Sequence, residues 1–368
     1  MSDAPSPAAR IRALPVPRLR ADLLAWYDRA RRDLPWRAAP GAPADPYAVL
    51  VSELMLQQTT VATVRGRFAP FLDRFPTLAA LAAAPLEEVL HAWQGLGYYR
   101  RARALHACAL AVMAEHGGRL PLTTAGLAAL PGIGPYTAAA VAAIAGGEAV
   151  VPLDANVERV LARLLGLERP AASARPELRA AAQALAAPAR AGDLAQALME
   201  LGALVCTPRR PGCLACPWRA DCRAAASGAP ERFPPKAELR ARRTCHATAF
   251  LLRRPDGACL FRRRPLTGLL GGMIELPTTD WLAEPDELAA AERLAAPAEA
   301  AWQAVPGRVR HLFTHIDLGI RLLRAELPAA TAPSAMADER LWVPPERFAE
   351  LALPTLTRKL LRHAGLRW

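Results

Sequence analysis

Four of the seven cysteines fall in one short run, Cys206-x6-Cys213-x2-Cys216-x5-Cys222. Thiolates are soft ligands, and four on one loop can hold a metal centre without help from elsewhere in the chain. An iron–sulfur cluster suits that donor set. Structural zinc also takes four thiolates, usually from two short C-x2-C arms, and only one arm here is short. A pair of disulfides is the third reading.

Two carboxylates sit in settings that could support acid–base work. Glu53 lies in VSELMLQQT, among Val51, Leu54, Met55 and Leu56. Apolar surroundings favour the protonated carboxyl, and a protonated Glu can act as a general acid near neutral pH. On the polar face of a surface helix it would simply be solvated. Gln57, Gln58, Thr59 and Thr60 continue an uncharged polar patch. Asp154, in PLDANV, precedes an apolar-periodic helix and is placed to cap it. Capping leaves its carboxylate at the mouth of whatever lies in front of the helix. Asn156 is either a helix-start residue or a polar contact to a sugar or base.

Two glycine-bearing turns offer contacts to a polyanion. In LPGIGPYT, Leu130 to Thr137, Gly132 and Gly134 permit positive φ and Pro135 opens the next helix. Free N–H groups at such a terminus suit a phosphate, although a plain helix connection uses the same residues. GLGYYR, Gly95 to Arg100, sets two tyrosines after a turn and before an arginine, the material for stacking on bases and gripping phosphates. The aromatics Trp26, Trp36, Trp93, Tyr98, Tyr99 and Tyr136 could equally be core.

The elements that must position these groups change character along the chain. Residues 1–18 read as a frayed lead. From Leu19 to about 226 the apolar period is helical, with Asp45-Pro46 as N-cap and first helical residue. Helices are predicted over 78–93, 100–115, 124–130, 135–145, 156–165 and 176–206. Residues 227–244, proline-rich and charged, read as a linker. Residues 245–368 form an α+β domain, with strands at 245–252, 258–263, 309–312, 316–323 and 341–343, a turn at Pro255-Asp256-Gly257, and helices near 284–295 and 355–363.

The 368 residues are enough for two domains. Lys+Arg 46 against Asp+Glu 34 gives a formal net charge of +12, which favours a polyanionic partner. Only Lys236 and Lys359 are lysines. No apolar run approaches about 18 residues, so no membrane span is expected. The start lacks a secretory signal, and clustered cysteines fit a reducing compartment, so a cytoplasmic, monomeric protein is expected.

Together these segments resemble the helix-hairpin-helix DNA glycosylases, specifically the MutY family of adenine DNA glycosylases. The likeness covers roughly Leu19 to Cys222, in SELMLQQT, LPGIGPYT, VPLDANVERVL, GLGYYRRAR, LPWR (Leu34 to Arg37) and MELGALVCTPRRPGCLACPWRADC. Endonuclease III shares the hairpin and the cysteine loop. Its relatives with lyase activity place a Schiff-base lysine where this chain has Tyr136. The C-terminal half is similar to the MutT-like domain of the family in GLLGGMIELP, Gly268 to Pro277, and HLFTH, His311 to His315. The family's Phe-Ser-His triplet stands here as Phe313, Thr314 and His315. The Nudix glutamate series is missing after Gly272, which points to lesion recognition rather than hydrolysis. Ala155 replaces the glycine usual in the family.

The resemblance implies a mainly α glycosylase domain with a 4Fe–4S loop held by Cys206, Cys213, Cys216 and Cys222, plus a MutT/Nudix-like α+β domain. The implied substrate is duplex DNA carrying adenine opposite 8-oxoguanine or guanine. Glu53 would protonate the adenine and Asp154 stabilise the sugar cation, with Tyr136 and Asn156 orienting them. Arg37 and Glu200 would contact adenine, Gln58 and Tyr98 wedge into the stack with Thr59 beside them, and Gly132 and Gly134 hold a phosphate. Phe313, Thr314 and His315 would read the opposite base, and Arg209 and Arg210 meet phosphates.

Overall fold

The computed structural model describes residues 7–39, 42–236, 241–265, 268–327, 340–351 and 353–366. The chain divides into two compact units. The first holds the residues up to Leu96 with Arg101–Glu238, and the second Leu239–Trp368 with the segment Gly97–Arg100.

The first unit is helical, and its centre is the helix Pro135–Ile144. That helix reads PYTAAAVAAI, and residues 137 to 143 are all buried. Small side chains let the helices Pro46–Leu56 and Ala191–Leu204 pack against it. Leu19, Leu23, Tyr27, Val157, Leu161, Leu198, Leu201 and Trp218 form one core, to which the helix Ala191–Leu204 contributes. Burying each such leucine contributes roughly 2 kcal/mol.

Three expectations change here. The helix over 78–93 is two, Leu78–Ala83 and Leu86–Ala92, because Pro85 forces Ala84 into an extended conformation (φ −73, ψ 143). The helix over 176–206 is likewise two, Arg175–Leu185 and Ala191–Leu204, separated by Pro188 and a left-handed Arg190. The lead is not frayed over residues 7–18. The helix Pro7–Arg12 seats Ile11 in the core, and Arg10 donates to the carbonyls of Leu165 and Gly166, each at 3.0 Å. Residues 1–6 of that expectation lie outside the described residues.

The linker is also shorter than predicted. Glu231 accepts from the Arg210 N–H at 2.6 Å, and the Phe233 carbonyl accepts from Arg163 at 3.0 Å, so this part of 227–236 packs on the first unit. Residues 237–240 lie outside the described residues, and Arg243 and Thr244 already belong to a strand.

The second unit is a six-stranded mixed sheet. Its strands are β1 (Arg243–Arg253), β2 (Cys259–Arg263), β3 (Ile274–Glu275), β4 (Gln303–Leu312), β5 (Ile316–Glu326) and β6 (Arg340–Val343). The order is β3-β2-β1-β5-β4, with β6 also pairing β2. β1 and β5 run parallel at the centre, and the other pairs are antiparallel. β1 is buried on both faces from Ala247 to Leu252, as a central strand must be. β4 begins six residues earlier than predicted, since the register breaks between Val305 and Val309. Pro306 and Gly307 sit at that irregularity on the edge strand, where proline is tolerated. The helices Leu288–Ala295 and Thr355–His363 complete the unit.

Candidate active site

The helix Pro46–Leu56 starts with Asp45 accepting from the Tyr47 N–H at 2.9 Å and Pro46 in its first turn. Residues 47 and 49 to 55 are buried, and Glu53 is only 6% exposed. Glu53 is therefore not a surface residue. The Tyr136 hydroxyl donates to Glu53 Oε2 at 2.8 Å, and the Met199 sulfur lies 3.3 Å from the same hydroxyl. Burial pushes the Glu53 carboxyl up to about 7, and the charge of Asp154 pushes the same way. The Tyr136 hydrogen bond and Arg37 oppose them. Burial, then the charges of Glu53 and Asp154, hold the Tyr136 phenol well above its usual range, so it remains a donor. Gln57 Nε2 donates to Thr137 Oγ1 at 2.9 Å and ties the Glu53 helix to the Tyr136 helix.

Asp154 caps the helix Ala155–Leu165, accepting from the Val157 N–H at 2.7 Å. Its second oxygen accepts from Asn156 Nδ2 at 2.8 Å. Asn156 Oδ1 in turn accepts from Arg159 at 2.9 Å, and Arg159 also donates to the carbonyls of Cys206 and Gly202, each at 2.7 Å. A Cβ at Gly202 would stand 2.6 Å from Asn156 Cβ, so glycine is what lets these two helices approach. Ala155 is exposed at the first helical position.

Glu200, 1% exposed, accepts from Arg32 (N–H 3.0 Å, Nε 2.8 Å, Nη2 2.8 Å) and from Arg37 (Nη1 3.2 Å, Nη2 2.9 Å). Burial would raise its carboxyl. The hydrogen bonds from the two guanidinium groups outweigh that and hold it down at about 2. Glu200 is thus an anion at a pH where Glu53 still holds much of its proton, two carboxyls driven apart by their surroundings.

In the hairpin, Gly132 takes φ 73, and a Cβ there would collide with Ala104. Gly134 does not use the left-handed region: it is extended (φ −82, ψ 168) and stands at the N-cap of Pro135–Ile144, with open space where a Cβ would lie. Gln58 and Tyr98 are exposed and left-handed, at φ 58 and 45. Left-handed non-glycine residues are uncommon and cluster at functional sites. The Thr59 hydroxyl donates to the Leu96 carbonyl at 3.1 Å and accepts from Arg101 at 2.9 Å. Arg101, 4% exposed, also donates to the carbonyls of Leu54, Met55, Gln57 and Leu96. Of the other aromatics, Trp93 and Tyr99 are core.

All seven cysteines are free thiols, so the disulfide reading falls. Cys206, Cys213, Cys216 and Cys222 line one cavity with Arg163 and Arg219. Among the described residues no group of three or more His, Cys, Asp or Glu is placed to hold a single metal ion. The donor set fits a larger group. Arg163 points at the Cys206 sulfur at 3.3 Å, the Trp218 N–H at Cys216, and the Ala225 and Ala224 N–H groups at Cys222. Such donors are the partners that thiolates of an iron–sulfur cluster require. Burial pushes the Cys216 thiol up to about 12, so ionised sulfur here calls for a cationic centre.

In the second unit, Phe313, Thr314 and His315 form the tip between β4 and β5, with Thr314 and His315 exposed. Phe313 stacks on Trp281, centroids 5.2 Å apart and planes at 29°. Glu275 is taken by Arg262 (2.9 Å) and Arg264 (2.8 Å), and Glu292 accepts from Thr248 at 2.6 Å.

Arg32, Arg101, Arg159, Arg163 and Met199 were not foreseen. For Arg101 and Arg163 a signal existed, since each sits at a core position of an apolar-periodic helix. A charge there must be satisfied by something. Arg32 and Met199 gave no such signal.

Residues 51–186 match the HhH-GPD superfamily of base excision DNA repair proteins, and residues 248–363 match the NUDIX domain. The first unit is similar to the solved structure of a thermostable thymine-DNA glycosylase, 29% identical with a TM-score of 0.51, covering 56% of this chain and 95% of that one. The adenine DNA glycosylase of Mycolicibacterium smegmatis is 46% identical over 57% of this chain and 70% of its own. That of Homo sapiens is 37% identical over 94% of this chain and 74% of its own, and the corresponding mouse protein is 37% identical over 94% and 78%. With the helical unit, the buried Glu53–Tyr136 pair and the Nudix-like sheet in one chain, the protein belongs to the adenine DNA glycosylase family.

Proposed function

We propose that this protein removes adenine paired with 8-oxoguanine or guanine in duplex DNA, as a monomeric, monofunctional glycosylase. The observation that carries the reading is Glu53: buried, hydrogen-bonded to Tyr136, and protonated up to about pH 7. Adenine leaves poorly from its sugar until a ring nitrogen is protonated. The nucleotide flips from the stack, and Glu53 gives its proton to that ring. The bond between the sugar C1′ and the adenine nitrogen then breaks with its electrons going to the base. Asp154 faces the cation left on the sugar, its carboxylate oriented by Asn156 and by the Val157 N–H. Water attacks C1′ and its proton returns to the Glu53 carboxylate, as with paired carboxyls in glycoside hydrolysis.

The Arg32–Arg37–Glu200 cluster supplies fixed donors and an anion for the adenine edge. Gln58 and Tyr98 fill the space the base leaves, with Thr59 fixing the Gln58 turn. Backbone N–H groups near Gly132 and Gly134, at the start of the helix Pro135–Ile144, take a phosphate. Cys206, Cys213, Cys216 and Cys222 would hold a 4Fe–4S cluster, which when bound would tie together the loop carrying Arg209 and Arg210. Phe313, Thr314 and His315 read the base opposite the adenine.

The test is incubation with a duplex carrying adenine opposite 8-oxoguanine, analysed for free base, strand breaks and borohydride-trapped adducts. Adenine release with strands intact until alkali, and no trapped adduct, is expected. Position 136 is tyrosine, and Lys236 is exposed, near the last residues of the first unit in sequence. Direct nicking with a trapped adduct would overturn the monofunctional reading.

A further inference from the structure

The tip that carries Thr314 and His315 rests on a ladder of side chains from another part of the second unit. Trp281 lies in the segment after β3, whose neighbour Leu282 pairs with His246 of β1 through two backbone hydrogen bonds, at 2.8 and 2.9 Å. On one side the Trp281 ring stacks on Phe313. The Arg264 guanidinium lies over the Trp281 ring as well, 5.3 Å from its centroid. Arg264 is itself fixed by Glu275, whose second oxygen holds Arg262. Glu275, on β3, is 4% exposed, so this anchor is a buried carboxylate held by Arg262 on β2 and by Arg264 just past its end. Beyond Phe313, the His311 ring meets it edge-on at 4.6 Å.

The backbone of the tip has few holds of its own. The Phe313 N–H donates to the Ile316 carbonyl at 2.8 Å, Arg242 donates to the Phe313 carbonyl at 3.1 Å, and the Arg243 N–H donates to the His315 carbonyl at 3.0 Å. Thr314 makes no hydrogen bond among the described residues, and both reading side chains are exposed. Besides these bonds, the side-chain hold on the tip is the plane of Phe313, which stacks on Trp281.

We infer that Trp281 is a positioning residue for lesion discrimination: clamped by Arg264 on Glu275, it holds Phe313 and with it the base-reading tip. The inference rests on the reading of Phe313, Thr314 and His315 given above. An aromatic stack of this kind is worth a factor of about three to ten in an equilibrium. Removing it should lower the preference for adenine opposite 8-oxoguanine over adenine opposite guanine by about that factor. Turnover of the guanine pair, which asks nothing of the tip, should be unchanged.

The experiment measures single-turnover rates and duplex affinities on both pairs for wild type, Trp281→Leu, Trp281→Phe, Arg264→Met and His315→Ala, with melting of each variant. Trp281→Leu keeps apolar bulk and loses the stack. The expected result is reduced preference in Trp281→Leu, largely restored in Trp281→Phe, and partly reduced in Arg264→Met. Should Trp281→Leu not fold, the Trp281→Phe and Arg264→Met pair carries the same comparison. If His315→Ala lowers the preference and neither Trp281→Leu nor Arg264→Met does, the ladder is ordinary packing and the inference is overturned. If His315→Ala leaves the preference intact, the reading of the tip itself fails.

Discussion

Replacing Glu53 by Gln should make the protein more stable above neutral pH and progressively less so as pH falls. The carboxyl titrates at 4.5 when unperturbed and at about 7 in the fold. The folded state thus holds a proton that the unfolded chain gives up. As pH rises from 4.5 through 7 the fold loses stability, because ionising a buried Glu costs desolvation that Tyr136 and Arg37 do not offset. The gap is worth about 3 kcal/mol once pH exceeds 7, at about 1.4 kcal/mol per unit. About 2 kcal/mol of that falls between roughly pH 5.5 and 8.5. Glutamine keeps the size and an acceptor for Tyr136 but has no proton to lose. Urea unfolding of both proteins across that range should therefore show the variant gaining about 2 kcal/mol on wild type toward the alkaline end. A difference that stays flat with pH would refute the argument, because it would mean that Glu53 titrates alike in both states.

Three further outcomes follow from neighbouring contacts. Tyr136→Phe removes the one hydrogen bond that lowers the Glu53 pKa, so the alkaline limb of the pH–rate profile should move to higher pH; a limb that stays put or moves down contradicts the contact. Asp154→Asn keeps an equivalent N-cap and loses the charge, so thermal melting should hold nearly constant while single-turnover cleavage falls by at least about a hundredfold; lowered melting with full activity would reduce Asp154 to a cap. Glu200→Gln leaves Arg32 and Arg37 against a neutral amide and should cost about 2–3 kcal/mol by urea unfolding at neutral pH. That stabilisation should be present above about pH 4.5 in wild type and be lost as pH falls toward 2.

The two-unit architecture and the carboxyl pair were legible because each left a local mark. Asp45-Pro46 and Asp154 are written as caps, and both cap. Glu53 stood out as a carboxyl amid apolar neighbours, and burial is its largest perturbation. What stayed hidden is long-range. Nothing near Arg32 announces Glu200, 168 residues away, and Arg159 meets Cys206 only because Gly202 lets two helices touch. Gly134 shows the opposite error: the residue type permits a left-handed turn, and the helix that follows requires an extended cap instead. The early residues misled because Arg10 and Ile11 gain their partners from a helix more than 150 residues on. Trp281 and Phe313, 32 positions apart, are likewise joined by the sheet alone.

The most direct test of the account is single-turnover release of adenine from a duplex with adenine opposite 8-oxoguanine, by wild type and Glu53→Gln, with binding of the same duplex measured in parallel. A proton supplied by Glu53 predicts that cleavage falls by about a hundredfold or more while binding stays within a few-fold. Cleavage within tenfold of wild type would remove Glu53 as the acid and contradict the mechanism at its centre.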